Sequence, residues 1–383
     1  MYRILFANRP SSWGGGAEAR LLEISTGLAA EGYTPLLVTS SEAELASRFR
    51  AAGIESHVFP PSYFLRREGY FSYYIAAPRA IRSLLRSRKI DLVHTNDSRS
   101  IEPFVRAAEP LGIPVVSHVT DMDGAWFSRR NLKFLNRTAA VVGVNEAVGK
   151  FALRHGVKSE RLRVIYRGID AKKFGAAPES LARTREAHGL SSSEIAVGMF
   201  ARLHPRKGQE DLIRAAAHPM LANLPLRYFL AGEDWEADRS YERTLLDLAL
   251  ELGVGDRFAL LGFREDAPTL MAACDVTAAP FRREAFGGAV AESMFAGTPV
   301  IGYRDGGIPE IVRDGREGLL VEPGDIGGLA AAIQRVATDP VLRHELASAA
   351  LKRSKEFTFE RQLTAIKALY HEILAPGGVN VGR

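Results

Sequence analysis

The chain has 383 residues, 46% of them hydrophobic and 25% charged, with 35 Gly, 19 Pro and one Cys, a globular composition with material for two domains rather than one. The lone Cys274 excludes a disulfide scaffold and a Cys-rich zinc site, and suits a reducing compartment. The net charge of +5 is unevenly spread, with 28 basic against 18 acidic residues over 1–190 and 22 against 27 over the remainder, which disfavours a uniformly coated nucleic-acid binder.

At the start, Met1 to Ala7 is apolar but too short for a signal sequence, and Asn8, Arg9 and Pro10 end it. No run reaches the roughly 18 apolar residues of a spanning helix. The expectation is a cytoplasmic protein that touches a membrane surface without crossing it. Short β-rich runs then alternate with helical patterns, which predicts parallel sheets flanked by helices and an α/β class. Strands are expected at Arg3–Ala7, Thr34–Thr39, Ser56–Phe59, Leu92–Thr95, Val115–Val119, Ala140–Val144 and Arg163–Tyr166. Residues 168–193, with Gly175, Pro178, Gly189 and three consecutive serines, read as a linker. A second set of strands follows at Ile195–Ala201, Leu226–Ala231, Phe258–Leu261, Val276–Ala279, Val300–Tyr303 and Gly318–Val321. After Phe357, Leu363, Ile366, Leu369, Ile373 and Leu374 recur at helical spacing. Two such sheets are expected to face a cleft with their carboxyl ends, where open α/β sheets bind ligands.

The densest motif is PFRREAFGGAVAESMFAGTPV, residues 280–300. Phe286, Gly287 and Gly288 precede an Ala-rich helical stretch, and glycines at a helix start let a ligand approach free N–H groups that suit an anion. Glu284 in the preceding loop and Glu292, placed about two turns into the helix, are acceptors suited to vicinal hydroxyls of a sugar and a ribose. In IAVGMFARLHPRKG, residues 195–208, a strand ends in Arg202 and Lys207 follows five residues later. A planar fork and a compact ammonium at a strand end suit a diphosphate leaving group.

These two motifs resemble those of the retaining glycosyltransferases of family four, which have the GT-B fold of two Rossmann-like domains. Gly14-Gly15-Gly16 with Glu18, His118 at a strand end, Arg167-Gly168-Ile169-Asp170, Gly262-Phe263 and the closing helix pattern agree with it. Arg167 departs from it, since many relatives carry Asn there. The resemblance implies an N-terminal acceptor-side domain over 1–170, to which residues 358–376 return, and a C-terminal nucleotide-sugar domain over 171–357. It implies transfer of a sugar from a nucleoside diphosphate sugar, UDP or GDP, to an acceptor hydroxyl, by a front-face route that requires no metal or other cofactor. Arg202 and Lys207 would hold the diphosphate, Glu284 the sugar hydroxyls and Glu292 the ribose, with backbone groups of Phe286, Gly287 and Gly288 completing the donor site. His118 would contact the transferred sugar. The turn from Trp13 through Gly15 and Gly16 offers further N–H groups to the donor phosphate or the acceptor.

Asp121 and Asp123 form an Asp-x-Asp pair, but two carboxylates without supporting ligands make a poor Mg²⁺ or Mn²⁺ site, so both are assigned to the acceptor side and no metal is expected. Residues 62–89 hold seven basic residues against one acidic, interleaved with Tyr63, Phe64, Tyr70, Phe71, Tyr73 and Tyr74. There Arg79, Arg82 and Arg86 share one helix face and Ile81, Leu84 and Leu85 the other, a pattern that suits an anionic membrane or a glycan or lipid-linked acceptor. The rival readings are a GT-B-like sugar-nucleotide epimerase or phosphorylase, a sugar-binding module without turnover, and, last, a nucleic-acid protein, for which no aromatic platform or module is found.

Overall fold

The computed structural model describes residues 1–9, 16–40, 44–236 and 238–375. Its residues divide into two compact units, one formed by Met1–Tyr166 with the chain from Glu360 onward, the other by Arg167–Phe359. The first unit holds strands β1 (Arg3–Ala7), β2 (Thr34–Thr39), β3 (Glu55–Val58), β4 (Leu92–Thr95), β5 (Val115–Val119), β6 (Ala140–Gly143) and β7 (Leu162–Val164). The second holds β8 (Ile195–Phe200), β9 (Leu226–Ala231), β10 (Phe258–Gly262), β11 (Val276–Ala279), β12 (Val300–Tyr303) and β13 (Gly318–Val321). Every expected strand is present, with ends displaced by a residue or two.

The sheet orders are β3-β2-β1-β4-β5-β6-β7 and β10-β9-β8-β11-β12-β13, and the neighbouring strands pair in parallel, as in Ile4 with Leu92 and Thr277 with Val300. Such strands are covered on both faces and therefore read as apolar runs; all four residues of β4 and of β11 are buried. Each sheet reverses its direction of growth once, between β1 and β4 and between β8 and β11. On a doubly wound sheet the carboxyl ends of the strands at such a reversal are the usual place for a ligand.

Four local features bear on the sequence reading. Residues 168–193 are not a bare linker, because Pro178–Ala187 forms a helix. It buries no residue fully, so its apolar periodicity is weak, and it is held instead by Arg185, which donates to Ala273 O at 2.9 Å, Asp275 Oδ2 at 3.0 Å and Glu194 O at 2.8 Å. The helix Ala77–Ser87 divides as expected, with Ile81, Leu84 and Leu85 buried and Arg79 and Arg86 exposed. The helix Phe359–Leu374 buries Leu363, Ile366, Leu369, Tyr370 and Ile373 and is tied to the first unit by Lys367 to Glu31 and Arg163 to Glu372, both at 2.8 Å. Cys274 is a core thiol: burial pushes it up to about 12, which leaves it inert as a nucleophile.

Gly208 ends the turn Pro205–Lys207 in the left-handed region at φ +75°, and a Cβ there would lie 2.2 Å from Pro280 O. Only glycine fits this approach. Gly208→Ala is expected to cost at least about 2 kcal/mol, a fall in Tm of roughly 4–8 °C for a unit of this size, measurable by calorimetry.

Candidate active site

In the second unit the site is built at the reversal between β8 and β11. The chain leaves β8 through Ala201 and Arg202. Gly232, at φ +154°, allows the end of β9 to come so close that a Cβ would stand 1.9 Å from Ala201 O. The Arg202 guanidinium lies 4.9 Å from the centroid of the Trp235 ring, and its carbonyl accepts from Gln209 Nε2 at 2.9 Å. His204 then caps the turn Pro205–Lys207, its Nδ1 accepting from Arg206 N at 3.1 Å. Its pKa is lowered by burial first and then by the neighbouring charges of Arg202, Arg206 and Lys207. Three cations thus converge on one short loop, a field that favours an anion.

The loop after β11 meets this one directly. Arg282 N donates to Arg206 O at 2.8 Å, and the Lys207 ammonium forms an ion pair with the Glu284 carboxylate. Glu284 Oε1 also accepts from Gly287 N at 3.1 Å. Burial alone would raise the Glu284 pKa, but Lys207, the Gly287 N–H and the charge of Arg167 bring it below the ordinary carboxylate range. Gly306 packs behind the acid, where a Cβ would fall 1.9 Å from Glu284 O, and Gly307 N donates to that carbonyl at 2.9 Å.

Gly287, at φ +90°, opens the helix Gly288–Phe295. A Cβ on Gly288 would sit 3.0 Å from Arg167 Nη1, and the Arg167 guanidinium lies 6.0 Å from the ring centroid of the buried Phe286. Arg167, whose role the sequence left open, therefore stands at the start of this helix, with its Nε buried and unpartnered. Glu292 is half-buried and only one turn beyond Gly288, not two. The structure thus brings Lys207, Glu284, Gly287 and Arg167 into one cluster beside Phe286 and Gly288.

In the first unit, His118 is buried in β5. Its Nδ1 is 3.0 Å from His94 Nε2, and His94 Nδ1 is bonded in turn to the Tyr370 hydroxyl. Burial depresses the His118 pKa to about 4 and holds His94 well below its ordinary value, so both imidazoles are neutral at pH 7. The Tyr370 phenol, raised well above 10 by burial, keeps its proton. The three side chains thus form one buried hydrogen-bonded chain, from Tyr370 through His94 to His118, that ends at His118 Nε2. That atom is buried and has no partner. Sequence reasoning found His118 but missed His94 and Tyr370; the parallel runs LVHT and VVSHV, each with a histidine near its carboxyl end, held the signal for the first.

Asp121 Oδ1 accepts from Met122 N at 2.7 Å, and Asp123 caps the turn Gly124–Phe127 by accepting from Ala125 N at 2.9 Å. Among the described residues no three His, Cys, Asp or Glu side chains cluster as a metal site. Gly16 begins the helix Gly16–Ala30 and is exposed, whereas Trp13 and Gly15 lie outside the described residues.

Two family patterns cover most of the chain: Glycosyltransferase Family 4 matches residues 14–173 and Glycosyl transferases group 1 matches residues 182–353. The chain belongs to the family-four glycosyltransferases. Among curated family members, the D-inositol 3-phosphate glycosyltransferase of Saccharomonospora viridis is 31% identical over 61% of this chain and 56% of its own length. That of Acidothermus cellulolyticus is 34% identical over 58% and 50%. The chain spans about half the length of the curated glycosyltransferases it matches. Among solved structures, Anabaena Alr3699/HepE in complex with UDP matches with a TM-score of 0.86 at 26% identity, over 96% of this chain and 99% of that one. Its complex with UDP-glucose matches with a TM-score of 0.83. The fold is accordingly GT-B.

The acid side of the histidine chain is testable. A histidine whose folded-state pKa lies near 4 against an unfolded value near 6.5 costs nothing above pH 6.5 and destabilises progressively as pH falls toward 4, by roughly 1.4 kcal/mol per pH unit in that window. Urea unfolding between pH 7 and 5 should show this slope, reduced in His118→Gln. Tyr370→Phe, which removes the partner of the buried His94 Nδ1, is expected to cost about 1–3 kcal/mol at pH 7.

Proposed function

We propose that this chain is a retaining glycosyltransferase that moves a sugar from a nucleoside diphosphate sugar to an acceptor hydroxyl. The observation that carries the reading is the joined cluster of Lys207, Glu284 and the Gly287 N–H at the reversal between β8 and β11, with Arg202 and Arg206 adding to its positive field. UDP is the favoured nucleotide, because UDP and UDP-glucose are bound in the similar Anabaena structures.

In the proposed reaction the bond between the anomeric carbon and the diphosphate oxygen breaks, and the electron pair leaves with the diphosphate. The acceptor oxygen forms its bond on the same face, and its proton passes to the departing phosphate. Lys207 and Arg202 stabilise the charge that grows on the leaving group, which is the differential binding that lowers a barrier. Arg167, whose guanidinium stands at the helix start, adds to that field. Glu284, held ionised, and Glu292 accept hydrogen bonds from donor hydroxyls. His118 stays neutral and hydrogen-bonds a sugar hydroxyl through Nε2 without placing a second positive charge against a developing oxocarbenium ion. No step requires a metal ion.

The acceptor is read as a glycan or lipid-linked molecule, with the enzyme working in the cytoplasm at an anionic membrane surface. Support comes from Tyr70 and Phe71, 76% and 70% exposed, and from the exposed Arg79 and Arg86 of the helix Ala77–Ser87 that follows in the chain. Among the described residues no helix is long and apolar enough to cross a membrane.

The test is a thermal-shift comparison of UDP-, GDP- and ADP-hexoses at millimolar concentration, since a ligand that binds only the folded chain must stabilise it. A rise in Tm with the UDP sugar is expected, and no rise with any of the three overturns the reading. Lys207→Ala is expected to lower transfer by about 10² to 10³-fold while a cooperative unfolding transition remains. Release of UDP that depends on acceptor separates a transferase from a sugar-binding module.

A further inference from the structure

The reversal point of the first unit's sheet holds a second basic assembly, which the donor chemistry does not use. A cavity of about 650 Å³ there is lined by Arg9, Arg66, Arg67, Arg99, Arg130 and Asn131, together with apolar and hydroxyl-bearing side chains, and by no carboxylate among the described residues. Arg9 follows β1 and Arg99 follows β4, the two strands between which the sheet changes direction.

The acids that hold these arginines stand behind them. Arg130 reaches the buried Glu102 through Nε at 2.5 Å and Nη2 at 2.7 Å, and its guanidinium lies 4.5 Å from the centroid of the Tyr74 ring. Arg99 lies 4.4 Å from that of Trp126. Asp97 is shared, with Arg9 at 3.2 Å and Arg99 at 3.7 Å. Glu68 pairs with Arg67 at the exposed rim at 3.3 Å. Five cations therefore face one space against four nearby carboxylates, Asp97, Glu68, Glu102 and Glu18, the last acting on Arg9, and Glu102 is also engaged by Arg106. Burial lowers the Arg9 pKa, the charges of Arg99 and Arg67 add to that effect, and Asp97 and Glu18 oppose it, so basic groups crowd the cavity and acids only partly offset them. Planar guanidinium forks fixed by stacking and by rear hydrogen bonds are the arrangement that recognises phosphate oxygens in pairs.

We propose that this cavity binds a phosphate ester, the anionic group of the acceptor whose hydroxyl receives the sugar. The inference rests on the glycosyltransferase reading for the word acceptor, but the binding site itself does not depend on it. The volume leaves space for the organic part of the ester beside its phosphate. The ester can belong to a soluble phosphorylated acceptor or to a lipid headgroup, and the chemistry recognised is the same.

Isothermal titration of the full chain with glycerol 3-phosphate and with glycerol tests the proposal. The ester is expected to bind and glycerol not to bind. The R66Q/R67Q variant, whose two positions are exposed and whose Tm is measured in parallel, is expected to bind the ester at least about tenfold more weakly; R99Q supplies a second variant. Co-sedimentation with vesicles separates the sources. Retention on phosphatidylcholine mixed with phosphatidic acid, but not on phosphatidylcholine alone, supports the site with a lipid headgroup as its ligand. Ester binding without retention supports it with a soluble acceptor. Equal affinity for ester and glycerol, or ester binding undiminished in both variants, overturns it. A UDP titration of the unaltered chain keeps the two readings apart: UDP binding without ester binding overturns this site alone, and ester binding without UDP binding supports this site while striking the donor-site reading.

Discussion

The ion pair between Lys207 and Glu284 is the interaction on which the second unit's site depends. Lys207 comes from the loop after β8 and Glu284 from the loop after β11, two stretches separated by 77 positions. Both side chains are largely withdrawn from water, with 21% and 16% exposure. Removing two charges from water is costly, and their attraction repays it only where further hydrogen bonds complete the arrangement. Here the Gly287 N–H completes the carboxylate, and the backbone bond from Arg282 to Arg206 fixes the distance between the loops. The pair is better understood as a positioning device than as a source of stability. It keeps an ammonium and a carboxylate in place, ionised, at the sheet's reversal point.

The surroundings of Lys207 and of His118 handle charge in opposite ways. Around Lys207 the chain concentrates cations and lets an acid share them, so the space suits a diphosphate. Around His118 it removes charge altogether: two imidazoles and a phenol, all buried, are linked by hydrogen bonds that leave one unpartnered nitrogen. A buried neutral imidazole and a cationic cradle have different chemical capacities, one suited to hydrogen bonding and the other to negative charge.

Much of this was legible in the sequence because its causes are local. Parallel strands buried on both faces leave apolar runs bounded by turns, and the strands emerged from those runs. Arg202, Lys207, Glu284 and the Phe286–Gly288 turn stand within short motifs whose spacing carries their chemistry. What escaped was whatever the fold assembles from distant parts. Tyr370 lies 276 residues from His94, and the arginine-lined cavity draws on residues from 9 to 131, so no window of sequence contains either. The helix Pro178–Ala187 escaped for another reason: it buries no residue fully, so tertiary ties through Arg185 replace the periodicity that would have announced it.

Tyr370 also couples the completion of the first unit to the order of synthesis. Strands β1 to β7 leave the ribosome early, but the phenol that ends the histidine chain is made after the whole of Arg167–Phe359. Until then His94 carries an open nitrogen inside a nascent sheet, and the bed for the helix Phe359–Leu374 lacks its occupant. Translation thus delivers the second unit's full sequence before the first can close, which reverses the usual N-to-C order in which domains mature.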